Sequence, residues 1–181
     1  MRSVYYIFSV AVVFLLSCTG KTVKDEKITI VMPGKVELYN PFMGEKLPNP
    51  LLTKSKYRLY TLIDASCASC FAKLRKWNEF QVALAGDSSV CFIPVCHTKD
   101  NFEILKYHFE SDSAARLNVP LVLDLENKFV AHNAALVDSY GQLTALTNNK
   151  NEVLLKGDPL ENKTDREKFL DQIKKNDRMI P

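Results

Sequence analysis

Residues 57–77 of this chain read YRLYTLIDASCASCFAKLRKW, a stretch in which a strand pattern gives way to a helix pattern. Residues 57–64 favour a strand, and residues 68–85 have the apolar spacing of a helix. Cys67 and Cys70 therefore fall at the first helical turn, where backbone N–H groups and the helix dipole stabilise a thiolate on the first sulfur. This arrangement predicts disulfide chemistry, with Cys67 as the nucleophile and Cys70 as the resolving thiol.

Other interpretations of the two cysteines are a structural disulfide, half of a zinc site, or two unrelated core thiols. The strand-to-helix junction, followed by a βαβ pattern, favours redox chemistry over all three. Such chemistry needs only the two thiols, so we expect neither a metal nor an organic cofactor.

The N-terminus predicts export. Arg2 precedes an apolar run over residues 4–16, which is shorter than the roughly 20 residues of a membrane-spanning helix. The run ends in Leu15-Leu16-Ser17-Cys18, which is similar to the lipobox of bacterial lipoproteins. That resemblance implies a signal peptide over residues 1–17 and a lipid on Cys18; ordinary secretion is the alternative. We expect a lipidated tether over residues 18–27 and a location in the cell envelope, facing the periplasm or the surface.

Charge and length narrow the class of protein. The formal net charge is +3, and removing residues 1–17 takes away only Arg2, which leaves +2. No basic stripe with interleaved aromatic residues is present, so nucleic-acid binding is not expected. The remaining residues suit one domain, which we assign to residues 28–181.

The rest of the chain predicts a mixed α/β domain. Strand patterns over residues 27–31 and 35–39 flank Pro33-Gly34, which predicts a hairpin or an edge pair. The apolar run over residues 90–96 predicts a buried parallel strand. Further predicted elements are a helix over 100–109 capped by Asp100, a strand over 119–124, a helix over 126–135, a hairpin of strands 143–147 and 153–156, and a last helix from the capping box at Thr164 to Lys175.

This order is that of a thioredoxin fold with an extra strand and helix before the hairpin, and the sequence resembles the thioredoxin-like lipoproteins of Bacteroidetes. The residues that carry the resemblance are Asp64, Cys67, Cys70, Lys76 and Trp77. The resemblance runs from about residue 57 to the C-terminus. It implies an α/β thioredoxin-like fold, with a central mixed β-sheet flanked by helices, an inserted strand and helix, and an N-terminal β extension.

The sequence departs from thioredoxins at two places. Their cis-proline beside the dithiol would fall near residues 140–142, which hold Tyr-Gly-Gln, whereas Pro120 opens the inserted strand and is not assigned that role. Their buried carboxylate, six residues before the first cysteine, is replaced here by Thr61. Asp64 is nearer and could act electrostatically, although its charge would raise a thiol pKa; it equally suits a turn at the strand end.

A second group of residues follows the next predicted strand. Cys96 and His97 should emerge near the same sheet edge as Cys67, because neighbouring parallel strands end at one edge. Cys96 could act as a further resolving thiol and His97 could stabilise a thiolate. Together with Cys67 and Cys70 they could instead form a Cys3His zinc site, and the simplest interpretation is a buried thiol followed by a loop histidine.

These observations predict thiol-disulfide exchange with exported proteins that carry thiols or disulfides. The alternative is a redox-silent module that uses the same fold for binding in the cell envelope. Peroxidase chemistry is a third interpretation, which would require an arginine and a hydroxyl group near the reactive cysteine.

Overall fold

The computed structural model describes residues 27–42, 49–84, 89–111 and 117–177. The predicted signal peptide, Cys18 and most of the predicted tether lie outside these residues. No helix within them has both the length and the apolar character needed to cross a bilayer. The elements are β1 (Val36–Tyr39), β2 (Tyr57–Asp64), α1 (Ala68–Leu84), β3 (Val90–His97), α2 (Glu103–Ser111), β4 (Leu121–Asp124), α3 (Phe129–His132), β5 (Thr144–Asn148), β6 (Val153–Lys156) and α4 (Lys163–Asp177).

The strands form one mixed sheet in the order β1-β4-β3-β2-β5-β6. Strands β2, β3 and β4 are parallel, whereas β1 and β5 run antiparallel to their neighbours β4 and β2. The connections through α1 and α2 move in the same direction across the sheet, and both helices pack in one core cluster on the same face, as the right-handed rule for such crossovers predicts. The carboxyl ends of β2, β3 and β4 consequently meet at one edge of the sheet.

The core lies on both faces of the sheet. Side chains of α1, α2 and α4, including Trp77, Phe80, Phe109 and Phe169, pack on one face. The opposite face is covered by α3 and the N-terminal segment. Successive strand residues point to opposite faces, which explains why the central strands are apolar almost throughout. The predicted α/β class, the bounds of β2 and β6, and the start of α1 are confirmed.

The predicted pairing of residues 27–31 with residues 35–39 is wrong. Instead, β1 pairs antiparallel with β4, and Thr29 bridges Glu152 at the start of β6. Each segment thereby forms backbone hydrogen bonds with an edge strand of the sheet. These partners are distant in sequence, so the local Pro33-Gly34 pattern does not reveal them.

Two predicted helix caps are also wrong. The first turn of α2 is capped by Asn101, whose Oδ1 accepts the Glu103 N–H at 3.0 Å, rather than by Asp100. In α4 the cap is Asn162, whose Oδ1 accepts the Asp165 N–H at 3.2 Å, so the capping box does not begin at Thr164. Each error misplaced the cap by one or two positions, because several polar residues at each site suit the role.

The predicted helix over residues 126–135 shortens to α3. Asp124 accepts the Phe129 N–H at 2.7 Å, and Asn133 donates from Nδ2 to the Phe129 carbonyl at 2.8 Å. Asn133 also exchanges two 2.8 Å hydrogen bonds with the backbone of Val31. The polar side chains at both ends of α3 therefore bond to the backbone and limit the helix to one turn.

Candidate active site

The two cysteines lie where the end of β2 turns into α1. The Cys67 N–H donates to the Asp64 carbonyl at 3.2 Å, and the Cys70 N–H donates to the Cys67 carbonyl at 3.0 Å. Cys67 thus directly precedes the first helical residue, where the N–H groups of a helix lack intrahelical partners. Both side chains are partly exposed thiols that are not joined in a disulfide.

The environment distinguishes the two thiols. Partial burial, followed by hydrogen bonding to Cys67 and the charge of Cys67, raises the pKa of Cys70 to about 12. Cys70 therefore stays protonated near neutral pH and donates to the Cys67 sulfur, which suits a resolving thiol held in reserve. The hydrogen bond also shows that the two sulfurs are neighbours, as the sequence spacing predicts.

A groove of about 260 Å³ opens beside the dithiol. Its walls are the end of β2, the first turns of α1, and the loop before β5 at residues 140–143. Trp77 lines it from α1 and is otherwise buried against Phe92, with ring centroids 5.0 Å apart. Cys67 therefore lies in a cleft lined by both apolar and polar side chains, the kind of surface where ligands bind.

Asp138 forms hydrogen bonds with the backbone of the loop before β5. Its Oδ1 accepts the N–H groups of Tyr140 and Gln142 at 2.9 and 2.8 Å, and Gly141 adopts a positive φ of 74°. The prediction that residues 140–142 flank the dithiol is confirmed, since all three line the groove. Tyr140 is 84% exposed at its rim.

Sequence reasoning missed Lys73. Its Nζ donates to Gln142 Oε1 at 3.0 Å and lies 3.9 Å from Asp158 Oδ2, so it connects α1 to two loops around the groove. A lysine only donates, which fixes the orientation of the Gln142 amide. Its position three residues after Cys70, on the same helix face, was the signal that could have identified it.

Asp64 and His97 are neighbours at the sheet edge. They are register partners on β2 and β3, both line the groove, and the Ala65 N–H donates to the His97 carbonyl at 2.8 Å. Asp64 Oδ1 accepts the Ser66 N–H at 2.9 Å. Asp64 therefore has the turn role that its position suggested, and an auxiliary role for His97 stays a prediction.

Cys96 does not reach the groove, contrary to the expectation that it emerges beside Cys67. It is fully buried in the core, and burial raises its thiol pKa well above the usual range. Alternation along β3 directs the side chains of Cys96 and His97 to opposite faces. The described residues contain no group of three or more potential ligands that could hold a metal ion, which removes the Cys3His zinc interpretation.

Two polar residues of β2, Thr61 and Arg58, lie at different distances from the dithiol. Thr61 is buried, and its hydroxyl lies 3.2 Å from that of Thr144 on the groove side of β5. Arg58 instead bonds Asn151 Oδ1 at 2.7 Å, at the end of β2 remote from the dithiol. Peroxidase chemistry would require an arginine beside Cys67. Arg58, the arginine of the strand that leads to the dithiol, does not lie there.

No protein-family model matches the chain, and no curated protein matches it. Solved structures do. A domain from Cytophaga hutchinsonii described as a "possible thiol-disulfide isomerase" is 12% identical with a TM-score of 0.53, over 86% of this chain and 99% of that one. An uncharacterized thioredoxin-like protein from Porphyromonas gingivalis is 14% identical with a TM-score of 0.50, over 82% and 93%. Mycobacterium tuberculosis AhpC is 10% identical with a TM-score of 0.51, over 82% and 99%. This chain therefore has the thioredoxin-like fold, with a Cys67-Ala68-Ser69-Cys70 dithiol at the start of its first helix.

Proposed function

We propose that this protein exchanges thiols and disulfides with other exported proteins through Cys67 and Cys70. The observation that carries the proposal is the pair itself: two neighbouring thiols at the first turn of α1, both lining an open groove. Cys70, whose pKa is raised to about 12, stays protonated near neutral pH and suits the resolving step, which supports Cys67 as the thiol that attacks first.

The exchange takes place in two steps. The Cys67 thiolate attacks one sulfur of a substrate disulfide, forming a mixed disulfide and releasing the other substrate sulfur as a thiolate. Cys70 then attacks the Cys67 sulfur, and its proton passes to the departing substrate thiolate. The product is a Cys67–Cys70 disulfide and a substrate dithiol, so two electrons have passed to the substrate. The reverse sequence oxidises a substrate dithiol.

The reduction potential of the dithiol tests this proposal. The purified protein is equilibrated with glutathione or dithiothreitol buffers, and the thiols are trapped and counted by mass. We expect a reversible two-electron couple between roughly −120 and −270 mV, the range of known oxidoreductases. The Cys67→Ser variant, which keeps Cys91 and Cys96, should show no such couple. A wild-type pair that never interconverts would overturn the proposal in favour of a redox-silent binding module.

The proposal includes a lipid anchor on Cys18 and a location in the cell envelope. The lipobox pattern supports the anchor. Lys27, the last residue of the predicted tether, marks where the tether joins the domain. Lys27 lies 3.1 Å from Glu152, beside the turn that follows Asn148, and Asn148 pairs with Tyr57 at the start of β2. Asp64 follows Tyr57 by seven positions along β2, about 23 Å at roughly 3.3 Å per residue. The proposed tether therefore joins the domain at the end of β2 that is remote from the dithiol.

Labelling of producing cells with a radioactive fatty acid checks the anchor. We expect label in the wild-type protein and none in the Cys18→Ser variant, because the thiol of Cys18 is the acceptor. Label that persists in Cys18→Ser, or an unlabelled wild-type protein, would contradict lipidation without affecting the exchange proposal.

A further inference from the structure

A hydrogen-bonded group, which we call the strand-end network, joins the loops that follow β2, β3 and β4. It consists of Ser66, Thr98 and Asn127. The hydroxyl oxygens of Ser66 and Thr98 lie 2.9 Å apart. Asn127 accepts the Thr98 N–H at 3.1 Å through Oδ1 and donates from Nδ2 to the Thr98 carbonyl at 2.6 Å. Three loops that are distant in sequence are thus tied together at the edge of the sheet where Cys67 lies.

The network holds the residue immediately before Cys67. The Ser66 N–H donates to Asp64 Oδ1 at 2.9 Å, and the Ser66 hydroxyl accepts the Lys99 N–H at 2.9 Å. The same turn is closed by the Cys67 N–H, which donates to the Asp64 carbonyl at 3.2 Å. Through Ser66, the turn that carries Cys67 is therefore fastened to the loop after β3.

Thr98 is the central member of the network. It is only 4% exposed, and its hydroxyl oxygen also accepts the Asp100 N–H at 3.2 Å. Asn127 adopts a left-handed φ of 53°, a conformation that asparagine tolerates better than most residues. Every polar group of Thr98 thus has a partner, and one of those partners is Ser66.

We propose that Thr98 is a positioning residue for Cys67: acting through Ser66, its hydroxyl holds the turn so that the Cys67 sulfur stays beside Cys70 and the first N–H groups of α1. The inference rests on the proposed exchange chemistry at Cys67. Stabilisation of a thiolate by N–H and S–H donors weakens steeply with distance and misalignment. A less ordered turn should therefore weaken the stabilisation of the Cys67 thiolate while the protein stays folded.

The test is the pH dependence of Cys67 alkylation by iodoacetamide, resolved by peptide mass. Thr98→Val keeps the volume of the side chain but removes the hydroxyl. We expect it to raise the pH midpoint of alkylation and to slow exchange with a peptide disulfide at pH 7 by about three- to tenfold, the scale of one net hydrogen bond. Thr98→Ser should restore both values to near wild type, because it restores the hydroxyl.

Thr147→Val is the matched control. Thr147 is also buried, and its hydroxyl donates to the Arg58 and Asn148 carbonyls at 3.3 and 3.0 Å, at the opposite end of β2. It should leave the alkylation midpoint unchanged. Equal midpoints in Thr98→Val and wild type, or a Thr98→Ser variant as impaired as Thr98→Val, would overturn the proposal.

One further variant tests the proposal without a change in the core. Ser66 is exposed, so Ser66→Ala removes the same hydroxyl contact without disturbing the core. We expect this variant to shift the alkylation midpoint as Thr98→Val does. If Thr98→Val fails to fold, an unshifted midpoint in Ser66→Ala would contradict the proposal. The alkylation profile needs no substrate. A wild-type protein that exchanges with no disulfide would therefore overturn the proposed function while the positioning role is still judged from the midpoints.

Discussion

Replacing Cys67 with serine is expected to lower the rate of disulfide exchange at pH 7 by roughly a thousandfold or more, the scale seen when a catalytic nucleophile is removed. A thiolate is the attacking species in exchange, and serine supplies none. Cys70 is a poor substitute, because burial, the largest cause of its raised pKa, persists when Cys67 is replaced and keeps this thiol mostly protonated at pH 7. The measurement is the rate of reduction of a peptide disulfide by the reduced protein.

The residual exchange rate of the Cys67→Ser variant should also depend on pH, because it comes from the Cys70 thiolate. In this variant burial still raises the pKa of the Cys70 thiol, so its thiolate fraction and the residual rate should both climb as the pH is raised from 7. The Cys70→Ser variant serves as the partner experiment, because it should keep the first attack and accumulate a mixed disulfide visible by mass. Full activity in Cys67→Ser, or no trapped adduct in Cys70→Ser, would contradict the assigned order of attack.

Replacing Phe80 with alanine is expected to lower the free energy of unfolding by roughly 3–5 kcal/mol, the usual cost of removing a buried aromatic ring. Phe80 is completely buried. Its ring lies 5.8 Å from that of Trp77 in an edge-to-face arrangement, and the Arg166 guanidinium of α4 lies 5.3 Å from its centroid. The substitution thus leaves a cavity where α1, the sheet and α4 meet. Equilibrium unfolding in urea measures the loss.

Val82→Ala is the control on the same helix. Val82 is 72% exposed, so its truncation should change the free energy of unfolding by no more than about 0.5 kcal/mol. A loss of less than about 1 kcal/mol for Phe80→Ala, or equal losses for the two variants, would contradict the packing of α1 on the sheet.

Part of the site could be predicted because it is local in the chain. The strand of residues 57–64, the start of α1 and the spacing of Cys67 and Cys70 all follow from patterns within about 20 consecutive residues. Strand alternation, which is equally local, would also have shown that Cys96 and His97 point to opposite faces. Cys96 was expected at the groove because β3 ends there. The two-residue alternation of side chains along the strand instead directs Cys96 into the core.

Contacts between distant segments were beyond the reach of such patterns. Lys73 and Gln142 are 69 positions apart, and Ser66 and Thr98 are 32 apart. Many polar pairs in the sequence could form bonds of this kind, and which of them do so depends on how the loops converge at the sheet edge. The same holds for residues 27–31, whose partner is the start of β6 rather than their neighbours in sequence.

The sequence by itself determined the chemistry that this protein can offer: a dithiol at a strand-to-helix junction, in an α/β chain with an export signal pattern, because these features depend only on neighbouring residues. The tertiary structure decided how that chemistry is equipped. It brings the end of β2, helix α1 and the loop before β5 together as a groove, buries Cys96 away from it, and ties the turn before Cys67 to two other loops. The physical reason is that burial and hydrogen-bond partners are set by the crossing of distant strands, which no local pattern records.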